Sequence, residues 1–111
     1  MSSQVDFSVE QPTKDRLVLG GEVDLSNAPQ VKAALDAWLN QRLPSYTLDL
    51  RPLTRIDSSG LGLVVGAYRR AITQKRPKAA FQVYAGGPIL RVIQLIGLDK
   101  VLPIVVEETQ P

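Results

Sequence analysis

Two adjacent hydroxyls, Ser58 and Ser59, lie between an acidic residue, Asp57, and the glycine-broken apolar stretch Gly60-Leu61-Gly62. A serine hydroxyl so placed can accept a phosphoryl group, which adds about 1.5 to 2 negative charges at neutral pH and three strong acceptor oxygens. Upstream, Tyr46-Thr47-Leu48-Asp49-Leu50 alternates apolar and polar residues with the period of a strand, and Arg51 to Arg55 breaks that pattern before Ile56. Downstream, Leu61, Val64, Val65 and Tyr68 recur at helical spacing. The hydroxyl pair therefore stands where a helix begins. First-turn amides there have no partner within the helix, and Asp57 or Ser58 can cap them. The same amides, at the positive end of the helix dipole, suit a phosphate. Ser58 is the first choice as acceptor and Ser59 its competitor, since spacing alone does not say which hydroxyl caps and which points outward.

Other residues can serve the same surface. Asp24 follows Gly20-Gly21-Glu22-Val23 and either ends a loop and caps the helix nearby, or orients the serine hydroxyl or binds a partner's cationic group. Asp57 is explained by capping and dipole complementarity, with a partner contact as the alternative. Gly60, Gly62 and Gly66 each cost a helix interior roughly 1 kcal/mol relative to alanine. Such glycines imply either close helix-to-sheet packing or the close approach of another protein. Leu61, Val65 and Tyr68 fall on a different side from Leu63 and Ala67, so the helix is expected to be apolar on more than its core face. An exposed apolar strip beside a phosphorylatable serine makes a binding surface.

Composition removes several chemistries. The 111 residues include no cysteine and no histidine, which excludes thiolate chemistry, disulfides and a Ser-His-Asp hydrolase, and leaves zinc without its usual ligands. No P-loop is present for a nucleotide hydrolase. The formal charge is only +2, and Arg69, Arg70, Lys75, Arg76 and Lys78 gather where a helix would end, a place where cations complement the dipole. Without interleaved aromatics this cluster does not read as a nucleic-acid surface. No apolar run approaches the length of a membrane span, and the amino terminus lacks the pattern of a signal peptide, so the expected location is the cytoplasm.

The elements that must position these residues alternate. Val5 to Val9 and Arg16 to Gly20 read as an opening hairpin, with Gln11 to Asp15 as its turn. A helix is expected from Ala28 to Asn40, with Ser26 and Asn27 as candidate caps, Pro29 in the first turn and Ala28, Val31, Leu35 and Trp38 as its apolar stripe. A strand follows near Tyr46 to Leu50, then a helix near Ser59 to Gln74 and a strand near Ala80 to Tyr84. Pro88 opens a third helix whose Ile89, Val92, Ile93 and Ile96 share a face, and Gly97 ends it in a left-handed cap. Val101 to Val106 is a last short strand interrupted by Pro103. The pattern predicts an α/β fold, a mixed β-sheet covered by helices in one domain over residues 1–111, with a core of about 5–106 and termini that fray. If the strands ending near Gly20 and Leu50 run parallel, the loops carrying Asp24 and Ser58 leave the same edge of the sheet.

Three blocks carry a resemblance to a known family: Gly21-Glu22-Val23-Asp24 followed by Ala28, Leu48-Asp49-Leu50 leading to Ile56-Asp57-Ser58-Ser59-Gly60-Leu61-Gly62, and Arg91 to Leu98. The chain resembles the anti-sigma factor antagonists, whose fold is the STAS domain. That resemblance implies a protein that binds a serine kinase doubling as an anti-sigma factor while unphosphorylated, and is released when the kinase phosphorylates Ser58. It implies that Asp24 contributes to the kinase interface or the transfer geometry; Asp57, Ser59, Gly60, Leu61, Gly62 and Val65 are expected to form the rest of the partner surface. A metal-dependent serine phosphatase would restore the active form. ATP and magnesium would belong to the kinase, so the chain itself needs no cofactor and is not an enzyme. Family members commonly continue into a carboxy-terminal helix, whereas the residues after Val106 are too few for one. The alternative within the same fold is a constitutive subunit of a transport or signalling assembly, without phospho-switching.

Overall fold

Strand β2, Arg16–Val23, organises the sheet because its Leu17, Leu19 and Val23 alternate onto one face and are buried there. The computed structural model describes residues 7–74 and 78–108. Strand β1, Phe7–Thr13, pairs antiparallel with β2, and the remaining strands run parallel: β3 (Ser45–Asp49), β4 (Leu53–Ile56), β5 (Lys78–Tyr84) and β6 (Ile104–Glu107). The order is β1-β2-β3-β5-β6, with β4 also on β2. Helices α1 (Ala28–Leu39), α2 (Ser58–Thr73) and α3 (Pro88–Leu95) make the crossovers. Each crossover moves the chain in the same direction along the sheet, so right-handed connections place all three helices on one face. Leu48, Phe81 and Val83 meet Val31, Leu35, Val64 and Ile93 in the single core between them. Among the described residues no helix is long and apolar enough to cross a membrane.

The mixed sheet covered by helices is as expected, but several boundaries differ. The first strand continues through Gln11 and Pro12 to Thr13, so the hairpin turn is only Lys14-Asp15; Val5, where that strand was expected to begin, lies outside the described residues. Arg51 to Arg55 is not simply a break. After a turn at Arg51-Pro52, Leu53 resumes a four-residue strand that pairs with Gly21 to Val23, beyond the point where β3 leaves β2. Its burial runs buried, exposed, exposed, buried. An irregularity in register between Gly21 and Glu22 offsets the pairing, and Gly21 takes φ 80 to make it, a conformation that suits glycine. Strand alternation was therefore absent from this segment. In the third helix Leu90 takes the buried place expected of Ile96, which caps the helix and is 55% exposed. Gly97 adopts the left-handed conformation anticipated for it, φ 78. The last strand begins at Ile104 instead of Val101, because Leu98–Lys100 forms a short 3-10 turn and Pro103 has no amide to pair.

Candidate functional site

Parallel pairing of Val23 with Ile56 brings the next residues of both strands, Asp24 and Asp57, to neighbouring positions at one sheet edge. The strand responsible is β4, not β3 as the hairpin-and-crossover pattern had suggested. The Asp57 amide donates to the Val23 carbonyl at 3.2 Å, tying the two loops together.

Each aspartate then builds the same turn. Asp24 Oδ1 accepts from the Ser26 amide at 2.9 Å and the Ser26 hydroxyl at 2.5 Å. Asp57 Oδ1 accepts from the Ser59 amide at 3.0 Å, the Ser59 hydroxyl at 2.5 Å and the Gly60 amide at 3.1 Å. The Ser59 hydroxyl bond, then the Gly60 amide, holds the Asp57 carboxyl below its ordinary range against a smaller desolvation effect. Asn27 buttresses the first turn: it is 4% exposed, accepts from the Asp24 amide and donates to the Glu22 carbonyl. Neither Ser26 nor Asn27 caps α1 through its side chain, because both are spent on this loop.

The middle residue of each turn points outward. In the second turn that residue is Ser58, which is exposed and whose hydroxyl makes no hydrogen bond to a described residue. Asp57 is thus the cap, Ser59 is held by it, and Ser58 is free. In the first turn the middle residue is Leu25, 76% exposed. Sequence reasoning missed it; an Asp-x-Ser spacing shared with Asp57-Ser58-Ser59 was the signal available.

Along α2 the surface residues from Ser58 are Gly62, half-buried Val65 and exposed Arg69, at helical spacing on the side away from Leu61, Val64, Ala67 and Ala71. Two expected partner contacts are instead packing residues. Leu61 is buried in the core, and Gly60 is buried with space for no side chain: a Cβ there would stand 2.6 Å from Ile56 Cγ1 and 2.8 Å from Val23 Cγ1. Leu61 and Ala67 share the buried face, contrary to the division expected from spacing. Gly62 and Gly66 differ from Gly60, since a Cβ at either meets nothing within 4 Å. They border a groove of about 300 Å³ between α1 and α2, floored by Leu35, Leu39, Leu63 and Ala67. Arg70 spans its rim to Asp36 at 2.6 Å and Asn40 at 2.8 Å, which commits that cation to the fold. Lys75 and Arg76 of the expected basic cluster lie outside the described residues.

A smaller cleft of about 190 Å³ lies at the strand ends themselves, lined by Glu22, Val23, Asp24, Arg55, Ile56 and Asp57. Among the described residues no cluster of acidic side chains is arranged to hold a metal ion. The site offers an exposed hydroxyl and flanking carboxylates.

The six-stranded mixed sheet with its helices on one face, carrying twin Asp-x-Ser turns at one edge, is the architecture of a STAS domain. The family description "Mlab, STAS domain" matches residues 7–106. An anti-sigma F factor antagonist of Paenibacillus polymyxa is 33% identical over 87 residues, 78% of this chain and 73% of that protein. The crystal structure of an anti-sigma factor antagonist from Mycobacterium paratuberculosis aligns with a TM-score of 0.74 at 25% identity, covering 91% of this chain and 85% of that one. SpoIIAA of Bacillus in its phosphorylated form shares the fold, with a TM-score of 0.63 at 24% identity over 92% of this chain and 91% of that one. The chain belongs to the anti-sigma factor antagonist family of STAS-domain proteins.

Proposed function

We propose that this protein is an anti-sigma factor antagonist that works as a partner switch, binding a serine kinase that doubles as an anti-sigma factor until Ser58 is phosphorylated. The observation that carries the reading is the exposed Ser58 hydroxyl, which makes no hydrogen bond to a described residue and follows Asp57 at the edge shared with Asp24. The chain supplies an acceptor and a docking surface. Its kinase supplies ATP, magnesium and the catalytic base, and a serine phosphatase reverses the modification.

The capping geometry says how the switch would act. Asp57 already holds the Ser59 and Gly60 amides, so those amides are not available to a phosphate as a helix start would otherwise make them. The added charge stays at the docking surface next to two carboxylates. A partner packed on the unmodified serine would bury that charge without supplying a counter-ion, at a cost of several kcal/mol, so phosphorylation weakens partner binding at least about a hundredfold while leaving the fold intact.

The direct test incubates the purified protein with serine kinases from its own genome and ATP, and maps phosphate by mass spectrometry in wild type, Ser58→Ala and Ser59→Ala. Stoichiometric phosphate lost only in Ser58→Ala is the expected result. Labelling that survives in Ser58→Ala removes this acceptor, and no labelling by any kinase makes the domain a constitutive interaction subunit.

A further inference from the structure

The strand-end cleft contains one cation without a commitment. Arg55 on β4 lines it with Glu22, Asp24 and Asp57 and is exposed. Its register partner across the parallel pair is Glu22, yet Arg55 forms no hydrogen bond or ion pair with any described residue. Arg16, Arg51 and Arg70, by contrast, are each bound to an aspartate.

Two of the three carboxylates around Arg55 have fixed geometry. Asp24 is held by Ser26, and Asp57 by Ser59 and Gly60. A phosphate on Ser58 therefore finds two first-turn amides taken and three carboxylates nearby. Arg69 shares its helix face but lies eleven residues on, about 16 Å along the axis, beyond the roughly 8 Å screening length of physiological salt. Among the residues lining the cleft, Arg55 is the sole positive charge.

We propose that Arg55 is the counter-ion of phosphorylated Ser58, a positioning residue that leaves its place opposite Glu22 to pair with the phosphate. This rests on the reading of Ser58 as phosphoacceptor and adds what receives the phosphate once it is made. Arg55 precedes Ser58 by three residues across the strand-to-helix turn, and its planar fork matches two phosphate oxygens. Pairing lowers the second ionisation of the phosphate, which is ordinarily near pH 6, and draws it toward the cleft. The charged groups lining the cleft are Glu22 from β2, Asp24 from the following loop, Asp57 from the cap and Arg55 from β4. The three carboxylates raise that ionisation, whereas Arg55 and the positive end of the α2 dipole lower it, and exchanging Arg55 isolates its share.

The test places phosphoserine at position 58 during translation, so no kinase enters the result, and follows the phosphate by ³¹P NMR as pH is varied. Arg55→Gln raises the apparent pKa of the phosphate by about half a unit, and Arg55→Lys stays near wild type. Equal values in wild type and Arg55→Gln overturn the proposal, as does an equal shift in both variants. In unsubstituted protein the Arg55 Nε–H resonance moves when phosphoserine replaces serine; a resonance that stays put also overturns it. The kinase experiment fails or succeeds independently, since a shift here with no labelling there removes the switch and keeps the ion pair.

Discussion

Asp24 and Asp57 build equivalent turns, so the side chain each leaves outermost decides what the edge presents: a leucine from one and a serine from the other. Leu25 at 76% exposure contributes little to the fold. In the partner complex it would be an apolar anchor beside the switch, and truncating such an anchor costs more than about 1 kcal/mol. Leu25→Ala should lower affinity for the proposed kinase partner about tenfold in titration calorimetry, with an unchanged melting temperature. Asp57→Ala acts in the opposite way at this scale. It strips the side-chain cap from α2, so the melting temperature should fall by a few degrees in a thermal scan. The hydroxyl pair was legible in the sequence as a site. Which serine was free was not, because that depends on Asp57 adopting an extended backbone (ψ −173) and aiming its carboxylate forward into the helix.

Helix α2 carries three glycines with two different reasons. Gly60 touches Ile56 and Val23 so closely that a methyl group must displace β-branched side chains. Alanine there gains about 1 kcal/mol of helix propensity and loses about 2 kcal/mol to overpacking. Gly60→Ala should therefore be less stable by about 1 kcal/mol in urea unfolding. Gly62→Ala and Gly66→Ala fill open space, and each should be more stable by about 0.5 to 1 kcal/mol. A gain in stability accompanied by weaker partner binding would mark the α1–α2 groove as part of the docking surface. The sequence raised both explanations for these glycines but could not divide them, since helical spacing does not report what lies beyond each Cα. Strand β4 was lost for a related reason. Its irregular register on β2 removes the alternation by which strands are recognised.

Across the whole molecule, the sheet face without helices carries a polar row. Asp49, only 3% exposed, accepts from Arg51 at 2.7 and 2.9 Å and from Arg16 at 2.9 Å. Arg16 also donates to Gln82, which donates to Glu107 at 3.2 Å, so four strands are laced together. Burial pushes the Asp49 carboxyl up, but the Arg51 and Arg16 hydrogen bonds outweigh it and the net direction is down. A carboxyl with a depressed folded pKa stabilises the fold fully above its unfolded pKa, near 3.9, and loses that contribution as pH falls through the folded value. Urea midpoints should accordingly decline from about pH 5 downward. Asp49→Asn should flatten this decline and lower the neutral-pH stability by about 2 kcal/mol, because two half-buried guanidinium groups lose their counter-charge. A variant with wild-type acid sensitivity would show that other carboxyls govern it.

The alternation of strands and helices, the capped serine pair and the absence of histidine and cysteine follow from residue order, because periodicity, capping and side-chain inventory are local properties. That order was enough for the fold class and for the position of Ser58 in the chain. The neighbourhood of Ser58 is a product of non-local pairing. Val23 meets Ile56 only because β4 continues along the β2 edge after β3 departs, and this brings Asp24, Leu25, Glu22 and Arg55 around the second turn. Residues some thirty positions apart become neighbours through backbone hydrogen bonds whose register a short, bulged strand does not announce, so the tertiary structure alone decided which charges surround the serine.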